Sequence, residues 1–160
     1  MKSVFQKIIV VITGSDASIL AAKYAIVMAK NLHCKLFAVY VVDTATIKHL
    51  TLSKILVPEE SVEFENNLKE NGERYLSYVE ELAHAKGVKI EREIRKGAVY
   101  TEILAAADEK KVDLIILGGW EKDRNPKDIF SHSFREIMIN SKCSVIYVKE
   151  PDIDHIYKHA

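Results

Sequence analysis

Two runs of this chain, Lys7–Ile12 (KIIVVI) and Leu114–Leu117 (LIIL), are built of Ile, Val and Leu apart from the leading lysine of the first, with no polar residue at alternate positions. A strand with one wet face alternates apolar and polar side chains, whereas a strand without that alternation must be covered on both faces. Longer stretches of helical period lie between such runs, and this succession is the signature of a parallel sheet sandwiched by helices. The reading is an α/β fold with an open five-stranded parallel sheet, its strands at Lys7–Ile12, Lys35–Val42, 88–95, Leu114–Leu117 and 144–149. The third run alternates Val88, Ile90 and Ile94 with charged neighbours and belongs at an edge; the runs that end at Thr13 and Gly118 belong at the centre. An order 3-2-1-4-5 with helices on both faces satisfies both conditions.

The first helix follows TGSDAS and runs to Leu32, with Leu20, Tyr24 and Val27 on one face. A long helix is expected over 61–86, where Leu68, Tyr75, Val79 and Leu82 recur at helical steps, with Gly87 as its C-cap. Further helices are expected over 100–111 and 133–140, and an irregular segment from Asp43 to Pro58.

The chain has 160 residues, the size of one ordinary domain, which we place at 1–150 with a short tail over 151–160. Its 23 basic side chains are matched by 23 acidic ones, so no net field draws in nucleic acid or an acidic membrane surface. No apolar run approaches the length of a membrane span, and MKSVFQKIIVVIT passes straight into a turn and helix signal without a cleavage site, so it reads as the first strand. Cys34 and Cys143 lack the paired spacing of a zinc or redox motif and read as free thiols in a reducing cytoplasm.

Open parallel sheets bind ligands beyond the carboxyl ends of their strands, where the strand order reverses. In the order 3-2-1-4-5 that point lies between the first and fourth strands. The crevice there would be lined by Thr13-Gly14-Ser15, by the second strand near Val41, and by the segment after Gly118 and Gly119.

The blocks KIIVVITGSDAS, VYVVD, KGAVYTEIL, DLIILGG and KCSVIYVK together resemble the universal stress protein family over nearly the full length. The resemblance implies a Rossmann-like sheet of the adenine nucleotide alpha hydrolase-like kind and a homodimer formed by pairing fifth strands, which places Val145 and Tyr147 at the interface. It also poses a division within the family between members that bind ATP and members that do not, set by the motif G-x2-G-x9-G-[S/T]. Laid on that motif without a gap, this chain offers Gly118, Glu121, Ser131 and His132, so one of the three glycines remains and the final hydroxyl is an imidazole. The family's aspartate after the first strand is Thr13 here, and Val41 stands where backbone groups meet adenine.

A glutamate in a phosphate cradle adds bulk and a negative charge facing several others. Ser131 is milder, being a good N-cap that leaves the amides of the following helix pointed at the crevice. A slip of one residue would instead place Gly119, Lys122, His132 and Ser133 on the motif, exchanging the glutamate for a lysine, but both flanking anchors oppose it.

Ser131-His132-Ser133 reads as a capping and anion-contact segment, since neighbours on one helical turn do not aim at each other and no G-x-S-x-G elbow is present. The six histidines lack ligand spacing apart from His155 and His159 on the tail, which reads as frayed and as a place for adventitious metal only. Trp120 reads as a packing residue. Glu59, Glu60, Glu63 and Glu65 suit the start of the long helix, and Asp108-Glu109-Lys110-Lys111 reads as a solvated helix end. The expectation is a non-catalytic stress-response module with weak or absent ATP binding, acting as a homodimer and through a protein partner. The alternative is an ATP- or AMP-binding sensor of the same family.

Overall fold

The computed structural model describes residues 4–118 and 129–160. In chain order the elements are β1 (Lys7–Ile12), α1 (Asp16–Leu32), β2 (Lys35–Val42), α2 (Thr44–Leu52), α3 (Pro58–His84), β3 (Ile90–Lys96), α4 (Val99–Lys110), β4 (Leu114–Leu117), α5 (Ile129–Asn140), β5 (Ser144–Tyr147) and α6 (Ile153–Lys158). The five strands form one sheet in the order β3-β2-β1-β4-β5, every pair parallel. Val10 is matched with Ala38 on one side and Ile116 on the other, so the order reverses at β1 and β4 as the apolar runs require.

Successive residues of a strand face opposite sides of the sheet, and β1 feeds two cores. Ile8, Val10 and Ile12 pack under α1 and α3; Ile9 and Val11 pack under α4 and α5 with Val99, Ile103 and Ile137. The buried face of α1 is Ala21, Ala22, Ala25, Ile26 and Ala29, in place of the expected Leu20, Tyr24 and Val27. Small side chains let this helix lie close to the sheet, and the larger ones flank it. Gly118 belongs to the same close approach, because a Cβ there would stand 2.9 Å from the Ala17 carbonyl carbon and oxygen and 3.0 Å from the Ser18 amide nitrogen.

The segment expected to be irregular contains α2, a helix capped by Asp43, whose carboxylate accepts from the Thr46 amide at 3.0 Å and the Thr46 hydroxyl at 2.7 Å. α3 starts earlier than expected, with Pro58 in its first turn, where a missing N–H costs nothing. It closes at Ala85, and Gly87 makes the left-handed turn two residues later at φ 72°. β3 is the expected edge strand. Arg95 there is only 14% exposed and binds Glu93, Glu102 and Glu109, while Lys110 binds Glu93 at 2.6 Å. The end of α4 is therefore tied to β3 through Glu109 and Lys110, while Asp108, Glu109 and Lys111 are exposed, as a solvated helix end requires.

Residues 151–160 are not a frayed tail. Ile153 of α6 is 2% exposed, Lys23 meets Asp154 at 2.6 Å, and the Tyr157 hydroxyl donates to the Leu82 carbonyl at 2.6 Å. Cys34 is buried and Cys143 half-buried, both as free thiols; burial, helped by Asp113, pushes the Cys34 thiol up and away from reactivity. No helix among the described residues is long and apolar enough to cross a membrane.

Candidate functional site

At the carboxyl edge of β1 and β2 the sheet opens into a cavity of about 260 Å³ whose walls include Thr13, Tyr40, Val41, Ile47, Phe64 and Leu68. Thr13 and Val41 thus share one cavity, as expected, each nearly buried at 4% and 8% exposure. Thr13 is fully engaged: its hydroxyl lies 2.8 Å from the Ser15 hydroxyl and accepts from the Ser15 amide at 3.2 Å, and its carbonyl accepts from the Ser18 hydroxyl at 2.7 Å. Ser15 is the N-cap of α1, so the hydroxyl at the end of β1 serves the helix start.

Among the described residues the polar ones on the cavity wall are Thr13, Tyr40, Asp43 and Thr46, and no lysine or arginine lines it. Asp43 and Thr46 are spent on capping α2. The Tyr40 phenol is raised above its ordinary value by burial and, less, by neighbouring Tyr75, so it stays a neutral donor and acceptor. Tyr75 crosses from α3 and donates its hydroxyl to the Gly14 carbonyl at 3.3 Å. The described wall therefore suits an apolar or planar group.

The motif residues are divided. Gly118 abuts the first turn of α1, and its lack of a side chain is already required by that packing. Gly119, Trp120, Glu121 and Lys122 lie outside the described residues. α5 begins at Ile129, which puts Ser131 inside the first turn, in place of the expected N-cap. His132 is exposed and meets the edge of the Tyr100 ring at 6.3 Å, while Ser133 is buried at 4% exposure; neither lines the cavity. Sequence reading missed Tyr40, Tyr75, Asp43 and Phe64. The available signal was the Asp43-x-x-Thr46 capping pattern, which also announces α2.

At the far edge, the Val148 amide donates to the Leu117 carbonyl at 3.0 Å. Amides alternate along a strand, so those of Val145 and Tyr147 face the open edge. Their side chains are half-buried against the α4 and α5 layer, with Tyr147 edge-on to Phe134 at 6.4 Å. Among the described residues no group of three or more His, Cys, Asp or Glu is placed to hold a metal ion.

A parallel sheet of this order with helices on both faces is a Rossmann-like fold. The model of the universal stress protein family matches residues 5–149, and the chain belongs to that family. It is 34% identical over 151 residues to universal stress protein MJ0531 of Methanocaldococcus jannaschii, covering 94% of this chain and 85% of that one. Among solved structures it resembles the universal stress protein UspA from Lactobacillus plantarum (TM-score 0.76, 20% identity, 92% of this chain and 100% of that one). It also resembles a family protein from Arabidopsis thaliana with AMP bound (TM-score 0.64, 16% identity, 92% of this chain and 94% of that one).

Proposed function

We propose that this protein is a non-catalytic stress-response module of the cytoplasm, working as a homodimer through β5, with weak or no ATP binding. The observation that carries this reading is the state of the crevice: Thr13 spends its hydroxyl on Ser15, and among the described residues no lysine or arginine lines the cavity. Triphosphate affinity depends on donors and cations that meet each charge. Glu121 in the motif works in the opposite direction. No catalytic residues are assigned, since no activated nucleophile or base is found among the crevice residues described.

A second reading is favoured by the cavity itself. The chain shares the fold of the AMP-bound Arabidopsis protein and has a cavity beyond β1 and β2, which supports an AMP-type sensor whose ligand is an adenine nucleotide with fewer phosphates. Mass spectrometry of the supernatant from heat-denatured protein, with titration calorimetry of ATP and AMP with magnesium, separates the two. The first reading expects no stoichiometric nucleotide and no tight ATP isotherm; stoichiometric AMP would replace it with the second. The triple variant Glu121→Gly, Ser131→Gly, His132→Ser, followed by Thr13→Asp, should strengthen ATP binding stepwise.

A further inference from the structure

We propose that His155 and His159 form a two-ligand site for a borderline divalent transition metal, Cu²⁺, Ni²⁺ or Zn²⁺, at the C-terminal end of α6, with His155 inside the helix and His159 as its C-cap. The two residues are four apart, which brings side chains together on one helical face. Both are exposed, and their ring centroids stand 4.4 Å apart. Two imidazoles that share one ion through bonds of about 2.0–2.1 Å have centroids roughly 4.5 to 5 Å apart, so the pair needs only a small adjustment to close on a metal. The same i, i+4 histidine spacing on a helix is used for zinc in other proteins. Neither imidazole is held by another side chain: among the described residues no hydrogen bond or ion pair involves either ring.

The pair is also preorganised by its scaffold. α6 is anchored by buried Ile153, by the Lys23–Asp154 ion pair, and by the Tyr157 bond to the Leu82 carbonyl. The backbone between the two histidines is closed by the His159 amide donating to the His155 carbonyl at 3.2 Å. Little conformational freedom of the backbone is left to lose on binding. Among the described residues no third His, Cys, Asp or Glu is placed with them, so water completes the coordination, and Cu²⁺ binds more tightly than Ni²⁺ or Zn²⁺. An ion held this way binds the folded helix and not the unfolded chain, which stabilises the docking of α6.

The test uses tag-free protein titrated with CuCl₂ and NiCl₂ in a calorimeter. We expect one ion per chain at the tightest site, with His155→Gln and His159→Gln each weakening that step by at least about tenfold, and His33→Gln and His84→Gln leaving it unchanged. In wild-type protein, substoichiometric Cu²⁺ should broaden the ring resonances of His155 and His159 before those of the other four histidines. Single variants that bind as wild type, equal broadening of all six rings, or one ion shared by two chains would each overturn the site.

Discussion

The Tyr40 ring lies directly on Gly72: a Cβ at that glycine would stand 2.5 Å from Cδ1 and 2.7 Å from Cε1. Gly72 is in the middle of α3, where glycine normally costs about 1 kcal/mol relative to alanine. That cost is accepted because Tyr40, at the carboxyl end of β2, forms the cavity wall through this contact. Gly72→Ala should therefore destabilise by about 1–3 kcal/mol from overpacking, against its gain in helix propensity. Thermal or urea unfolding measures this directly. The double variant Gly72→Ala, Tyr40→Ala should be non-additive, because removing the ring removes the clash; equal and additive losses would disprove the contact's role.

Gly118 gives a prediction that separates folding from ligand binding. Its neighbours are the backbone of Ala17 and Ser18, which cannot rotate away as a side chain can. Gly118→Ala should lower stability by about 1–3 kcal/mol in protein free of any nucleotide. If its unfolding midpoint equals that of wild type, the glycine is kept for the crevice and not for the approach of α1 to β4.

The network on β3 sets the acid limit of stability. Burial pushes the Glu93 carboxyl up, but hydrogen bonds from Lys110 and Arg95 outweigh it and hold the group below the ordinary value; Arg95 likewise lowers Glu109. A carboxylate depressed in the folded state contributes stability above its unfolded pKa, and that contribution is lost as the pH falls through the folded value. Stability should decline below about pH 4.5, near the ordinary carboxylate range. Arg95→Gln should cost on the order of 1 kcal/mol at neutral pH and flatten the decline, after allowance for the partly exposed partners. Urea midpoints from pH 7 to 3 check both; a parallel curve for the variant would mean that Arg95 is not the source.

How much of this was legible follows from which forces act locally. The unbroken apolar runs at Ile8–Ile12 and Leu114–Leu117 demand burial on both faces, and that places β1 and β4 side by side within the sheet, whereas the cavity lies beyond β1 and β2 and not between β1 and β4 as expected. The charged residues Glu91, Arg92 and Glu93 between Ile90 and Ile94 likewise mark the edge. Helical faces were read less well. Leu20, Tyr24 and Val27 have the period of a core face, but the alanines win because closeness to the sheet favours small side chains over large ones. α2 was missed because nine residues rich in threonine carry little apolar period, while its Asp43 cap was visible. α6 was missed because its stability comes from tertiary partners, Leu82 and Lys23, that lie 75 and 131 residues away in sequence. In the site, Thr13 and Val41 were found through the strand ends they follow, whereas Tyr40 and Tyr75 act through contacts that no motif encodes.

The edge of β5 carries the assembly prediction. Outward amides at Val145 and Tyr147 on a four-residue edge strand invite antiparallel pairing with a second copy. Wild-type protein should sediment as a dimer at micromolar concentration, and Val145→Asp should shift it to monomer. Because Val145 also touches its own core, circular dichroism must show the variant folded for the shift to count. A wild-type monomer under the same conditions sinks the idea.

The last prediction concerns the anchor of α6. Tyr157 is raised above its ordinary value by burial, with Lys23 acting against that shift, and its neutral hydroxyl donates to the Leu82 carbonyl at 2.6 Å. A group whose folded pKa is raised contributes stability that is full below the unfolded value and is lost as the pH rises through the folded one. The docking of α6 should therefore weaken above about pH 10, the ordinary tyrosine value. Tyr157→Phe keeps the ring, including its position under Lys86 at 4.8 Å, and removes only the donor. It should cost about 1 kcal/mol and leave the Leu82 carbonyl without this partner. Hydrogen exchange at the α6 amides should quicken in the variant while exchange in β1 and β4 stays as in wild type. Uniform quickening across the sheet would mean that α6 unfolds only with the whole domain, and unchanged exchange would mean that Ile153 and the Lys23–Asp154 pair hold the helix without Tyr157.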